Sequence, residues 1–285
     1  GLGAEVGHVA QPAGKRGDAL EAEGERSDDE YAGPERQEVG EDEGQGFERA
    51  FDNFATWCRS TPAQCPVAPD ARAVVMAALA KARSNPASTS AGRKATAGWV
   101  FLAVIQSLYL RSFWPRLANA MESLRRGNPT QIFSLADEYG RRGPNGSYEN
   151  MFDAFSVISC TDDDQAPTVE QVRQLQGEWR SRYPLFGGNL ALNLICAQWP
   201  GKHDPYPKGP ATGAPPILVV GTTGDPATPY EQTATLAKML GVGVVLTWQG
   251  EGHTAYLETR CVNDAVDQYL IDLKVPEAGK VCPPR

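Results

Sequence analysis

No apolar run in this sequence is long enough to cross a membrane. The best candidate, GWVFLAVIQSLYL (98–110), has 13 residues and is broken by Gln106 and Ser107. A helical span needs roughly 20 residues, so this stretch reads as a buried helix. A charged-then-apolar leader pattern is also lacking, so a signal peptide is not expected within the chain. Basic residues are in deficit: 27 Lys+Arg stand against 35 Asp+Glu, a net charge of −8. That excludes a nucleic-acid partner as an expectation, because binding phosphates takes basic surface. There is no Cys-x-x-Cys, and no histidine stands close to a cysteine. A zinc site is therefore not expected, and nothing else in the sequence requires a metal or a cofactor.

The acidity is concentrated. Residues 1–46 hold 13 acidic and 4 basic residues, whereas residues 47–285 hold 22 and 23. Large apolar residues in the first 46 are confined to Leu2, Val6, Val9, Leu20, Tyr31 and Val39. Such a segment cannot bury enough surface to offset its ordering entropy. Residues 1–46 are expected to be disordered, or not native to the fold at all. Elsewhere, a hydrophobic fraction of 41% over 285 residues allows a real core. Six cysteines, Cys58, Cys65, Cys160, Cys196, Cys261 and Cys282, permit 15 pairings, and spacing does not choose among them or exclude reduced thiols. Disulfides would imply an oxidising compartment.

Residues 47–200 read as an all-helical array. FERAFDNFATWC puts Phe47, Ala50, Phe51, Phe54 and Ala55 on one helical face, and Asp70 is placed to cap the helix DARAVVMAALAKAR. Residues 201–214, GKHDPYPKGPATGA, form a Pro/Gly-rich linker. The grammar then changes. PPILVVG and GVVLTW are continuous short apolar runs, the mark of buried parallel strands. Between them, TPYEQTATLAKML reads as a helix with Thr228 as cap, Pro229 in its first position and Glu231 closing a capping box. CVNDAVDQYLIDL closes the chain as a helix with Val262, Ala265, Val266, Tyr269 and Leu270 on one face. Strand–helix–strand–helix is a parallel α/β unit. Two strands leave two raw edges, so the sheet is expected to be incomplete.

Functional groups in open α/β sheets gather past the carboxyl ends of the strands. The first strand is followed by GTTGDPATP, which presents Asp225. The second is followed by QGEGHTAY, which presents His253, 28 residues later. An aspartate beside a histidine can accept the imidazole N–H and fix its tautomer, and acid-then-histidine is the order of an α/β-hydrolase triad. Each residue also has a plainer reading, Asp225 as a turn former before Pro226 and His253 as a turn residue. Of the other histidines, His203 lies in the linker and His8 in the acidic segment. A nucleophile is not found. No serine stands in G-x-S-x-G; Ser147 in PNGSYEN comes nearest, between two helices rather than after a strand, and no cysteine has a suitable turn.

PILVVGTTGDPATPYEQTATLAKML, LTWQGEGHTAY and the closing C…DQYLIDLKVPEAGKVC resemble the C-terminal region of the tripeptidyl aminopeptidase-like α/β hydrolases, secreted or cell-envelope serine peptidases of actinobacteria. GFERAFDNFATWC…C resembles the start of their helical cap, and SCTDD with CAQWP resembles its end. The resemblance covers about residues 44–285. It implies the C-terminal part of an α/β-hydrolase fold, with a large all-helical cap over residues 47–200 and an α/β segment over 201–285. It implies Asp225 as triad acid, His253 as triad base, and the disulfides Cys58–Cys65, Cys160–Cys196 and Cys261–Cys282. The family's serine lies upstream of the cap, so this chain is expected to be a truncated or frame-shifted reading, family-like from near Gly44. The implied substrate is a peptide with a free N-terminus. Recognising its ammonium takes an acid, for which Asp162 in the CTDDD run (Asp162 to Asp164) is the candidate against a solvated loop. An inert fragment or binding module, and an esterase of the same fold, are the alternative readings.

Overall fold

The computed structural model describes residues 36–162, 167–190, 195–205 and 209–285. Helices α1 (Arg36–Ser60), α2 (Ala71–Ser84), α3 (Ala97–Leu108), α4 (Trp114–Arg125), α5 (Thr130–Tyr139), α6 (Met151–Thr161), α7 (Val169–Arg182) and the short α8 (Gly187–Leu190) come first. The α/β segment follows as β1 (Ile217–Gly224), α9 (Tyr230–Leu240), β2 (Gly243–Glu251), α10 (Arg260–Asp272) and β3 (Lys280–Cys282).

The apolar stripe of α1 forms as its spacing dictates. Phe47, Ala50, Phe51, Phe54 and Ala55 are all buried, in a core shared with α2 to α5 and with Leu185 and Phe186. Asp70 caps α2 by accepting the Ala73 N–H at 2.9 Å, satisfying one of the helix's orphan donors. Most of the 98–110 run is α3, which ends at Leu108 and buries Val100, Ala103, Val104, Ile105, Ser107 and Leu108; Tyr109 caps it. A second, separate core is built from Leu246, Trp248, Ala255, Val262, Ala265, Val266 and Cys282. Disulfides join Cys58 to Cys65, Cys160 to Cys196 and Cys261 to Cys282.

Four expectations are corrected. Residues 36–46, read as part of a disordered segment, are the first three turns of α1, with Gly44 and Gly46 buried. Their anchors are not an apolar stripe. Glu41 pairs with Arg182, and Asp42 accepts from Gln232 at 3.0 Å. Residues 1–35 lie outside the described residues. Next, α9 begins at Tyr230 with Pro229 at its cap and no side-chain capping bond, so Thr228 and Glu231 do not form a capping box. Leu270 is exposed rather than on the buried face of α10. Finally, the tail supplies a strand. Among the described residues the sheet runs β1-β2-β3, both pairings parallel. β3 is three residues long, too short for any periodicity to reveal. Among the described residues β1 is paired on one side only, through Ile217↔Gly243 to Thr222↔Trp248 and then, after a shift of register, Gly224↔Glu251.

Candidate active site

Because β1 and β2 are adjacent and parallel, the turns that leave their carboxyl ends lie together. Asp225 follows β1 directly and is almost fully buried, at 3% exposure. Its turn wraps back on its own carboxylate, as Asp–Pro turns do. Oδ1 accepts the N–H groups of Ala227 and Thr228, each at 2.9 Å. Oδ2 accepts the Thr228 hydroxyl at 3.0 Å and the Thr254 N–H at 3.3 Å. Both oxygens stand 3.1 Å from His253 Nδ1. Burial alone would raise this carboxyl, but the bonds from His253 and from the Thr228 and Ala227 N–H groups outweigh it. Asp225 is thereby held below the usual carboxylate range.

His253 is placed by the helical array as much as by the sheet. Its backbone N–H donates to the Tyr109 carbonyl at 2.8 Å, and its ring meets the Tyr109 ring edge-to-face at 5.2 Å. The preceding residue must be glycine for this approach. Gly252 has φ +109°, and a Cβ there would stand 2.5 Å from the Tyr109 carbonyl oxygen. Tyr109 is itself half-buried and packs against Tyr139, ring centroids 5.8 Å apart. Burial first, then the Tyr139 phenol bonded to it, push the Tyr109 hydroxyl well above its usual range.

Chemically, a carboxylate on Nδ1 fixes the imidazole proton there and leaves Nε2 as the base. The histidine side chain keeps 30% exposure, enough to be reached, whereas the aspartate side chain keeps 4%. The Thr228 hydroxyl lies 3.3 Å from Nδ1, on the carboxylate's side of the ring, so it supports the acid and is not placed to be activated. Ser147 donates to Asn145 Oδ1 at 2.6 Å in an exposed turn. Asp162 ends α6 as its C-cap and, among the described residues, shares no hydrogen bond or ion pair with the Asp225–His253 pair; Asp163 and Asp164 lie outside them. His203 sits in the linker, half-buried. Among the described residues no group of three or more His, Cys, Asp or Glu could hold a metal ion.

Sequence reasoning joined Asp225 to His253 but missed their supports. The D-P-A-T spacing held the signal for Thr228 as a donor to the acid. Thr254 and Tyr109 had no local signal, since their roles exist only once two elements are packed together.

Residues 183–282 match the family model described as TAP-like protein. Carboxylesterase B of Mycobacterium tuberculosis is 34% identical over 254 residues, spanning 84% of this chain and 48% of that protein. Serine protease Hip1 of the same species is 33% identical over 256 residues, spanning 83% and 48%. Tripeptidyl aminopeptidase of Streptomyces lividans is 24% identical over 248 residues, spanning 85% and 46%. The chain thus spans about half the length of the curated relatives it matches.

Proposed function

We propose that this chain, whose residues 183–282 belong to the TAP-like family of α/β hydrolases, supplies the acid and the base of a Ser-Asp-His hydrolase acting on peptides near free N-termini. The observation that carries the reading is His253 Nδ1 held 3.1 Å from both Asp225 oxygens at the ends of adjacent strands. In that reaction His253 Nε2 takes the proton of a serine hydroxyl as its oxygen bonds to the peptide carbonyl carbon. The same nitrogen returns the proton to the leaving amine, and water then releases the acyl group by the reverse path. Asp225 stays ionised throughout and stabilises the imidazolium. The helical array of residues 47–200 acts as the cap that admits short or terminal segments, and Asp162 remains our candidate for the ammonium. No G-x-S-x-G stands in these 285 residues, so the serine belongs to sequence outside them, and the chain alone is inactive. Three disulfides favour an oxidising compartment, secreted or at the cell envelope.

The deciding experiment joins this chain to a segment bearing the G-x-S-x-G turn and compares tripeptide amides with short acyl esters. Amide cleavage that is lost in His253→Ala supports the peptidase. Ester cleavage without amide cleavage establishes the second reading, an esterase, which the similarity to a carboxylesterase favours. No turnover of either would leave a binding module. Fluorophosphonate labelling of the chain by itself would refute a nucleophile outside it.

A further inference from the structure

Helix α1 has a second stripe, and it is polar. Asp42, Gly46, Arg49 and Asn53 follow one another at intervals of four, three and four residues, which puts them on one face. Each meets the α/β segment beside the Asp225–His253 pair. Asp42 accepts from Gln232 at 3.0 Å. Gly46 lies against the turn that follows Asp225, where a Cβ would stand 2.6 Å from the Pro226 carbonyl oxygen and 2.9 Å from Pro229 Cγ. Arg49 forks onto Glu231 at 2.6 and 3.3 Å. Asn53 Nδ2 donates to both oxygens of Glu251, at 3.0 and 3.1 Å.

The targets divide between the two elements that carry the pair: the Asp225 turn with the first turn of α9 on one side, and the last residue of β2, Glu251, on the other. Pro226, Pro229, Glu231 and Gln232 follow the acid within seven residues, and Glu251 precedes the histidine by two. Glu251 is also the register partner of Gly224, next to Asp225. One helix therefore touches both the turn that follows Asp225 and the strand end that leads to His253, while its opposite stripe, from Phe47 to Ala55, is sunk in the helical core.

We propose that the Asp42–Gly46–Arg49–Asn53 stripe is a positioning element for the Asp225–His253 pair, setting the distance between the two loops and tying it to the helical array. This rests on the pair being the acid and base of the proposed reaction. None of the four residues touches a reacting atom. Two observations separate positioning from mere support. Arg49 and Glu231 keep 30% and 60% side-chain exposure, and such a pair adds little to stability. The bonds it protects are 3.1 Å long, beyond the 2.7–2.9 Å of a tight charge-assisted bond, so a small drift of either loop breaks them.

The test is NMR of the imidazole protons in the full chain, with the His253 signal identified by its loss in His253→Gln. The wild-type chain is expected to show a low-field Nδ1–H resonance from His253. In Arg49→Glu and in Asn53→Ala this resonance should move upfield and exchange with water roughly tenfold faster, with the melting temperature little changed in Arg49→Glu, whose pair is exposed. Adding Glu231→Arg to Arg49→Glu should restore it. Should Arg49→Glu fail to fold, Asn53→Ala and the Arg49→Glu/Glu231→Arg double variant carry the same readout. Folded variants whose His253 resonance matches wild type would overturn the positioning role alone. A wild-type chain without the resonance would overturn the acid–base reading itself, and the positioning role with it.

Discussion

Replacing Asp225 with asparagine isolates what the buried carboxylate does for the fold. The side chain keeps its size, but one acceptor becomes an NH2. Oδ1 can still accept from Ala227 and Thr228. The atom at Oδ2 then faces the Thr254 N–H with a donor of its own, and the Thr228 hydroxyl must turn to accept. Bonds to a charged group contribute about 1.5–3 kcal/mol each, and an unsatisfied buried donor costs about 1–3 kcal/mol. With some bonds kept as neutral ones, the net loss is about 2–4 kcal/mol near pH 7. The sign of its pH dependence follows from the lowered pKa of Asp225. The stabilisation is complete above the unfolded value of about 3.9 and fades as pH falls through the lower folded value. Urea unfolding of both proteins, followed by tryptophan fluorescence with disulfides intact, should show the widest gap above about pH 5 and a narrowing one below about pH 4. A gap that is constant with pH, or an asparagine variant as stable as wild type, would refute the reasoning.

Gly252→Ala forces a Cβ to 2.5 Å from the Tyr109 carbonyl at φ +109°; a loss of about 2–3 kcal/mol is expected in thermal unfolding, and an unchanged melting temperature would show that the contact does not hold. Phe54→Ala empties a fully buried site in the helical core and should cost about 3–5 kcal/mol in denaturant titration. Cys261→Ser with Cys282→Ser opens a cross-link of sequence separation 21; about 3 kcal/mol should be lost, and reducing agent should destabilise wild type by at least as much. Arg93→Lys breaks a two-pronged pair with Asp137, both bonds 2.6 Å, and the stacking of the guanidinium 3.8 Å over the Phe133 ring. A loss of about 1–2 kcal/mol is expected, and a variant as stable as wild type would show that a point charge suffices there.

The local grammar of the chain was legible where one segment carries its own reason. β1 and β2 announce themselves as apolar runs, the α1 stripe by helical spacing, and Asp70 as a cap. Two parallel strands then bring their exit turns together, so the sequence alone joins Asp225 to His253. Legibility failed wherever the reason lies in another part of the chain. RQEVGEDEGQG has no apolar period, yet it is helical because Arg182 and Gln232 meet its acids and the Asp225 turn needs its glycine. Thr228 looks like a helix cap, but the buried carboxylate three residues earlier is the stronger acceptor. Tyr109 sits at the end of an ordinary apolar helix, and only packing brings its carbonyl to the His253 N–H. The strand at Lys280–Cys282 exists because Cys282 is bonded to Cys261 and β2 offers an edge, neither of which a three-residue run discloses.

Among the described residues β1 is paired on one side only, and that edge bears on how the chain behaves at the bench. A parallel strand with an open row of N–H and C=O groups is a template for any extended segment, and Val220, in its middle, is 38% exposed. Preparations of these 285 residues should therefore associate as concentration rises, and a short synthetic strand able to pair along Ile217–Gly224 should suppress that association. The same edge runs up to Gly224, the residue before Asp225, so an added strand seated along it would end beside the turn that holds the acid.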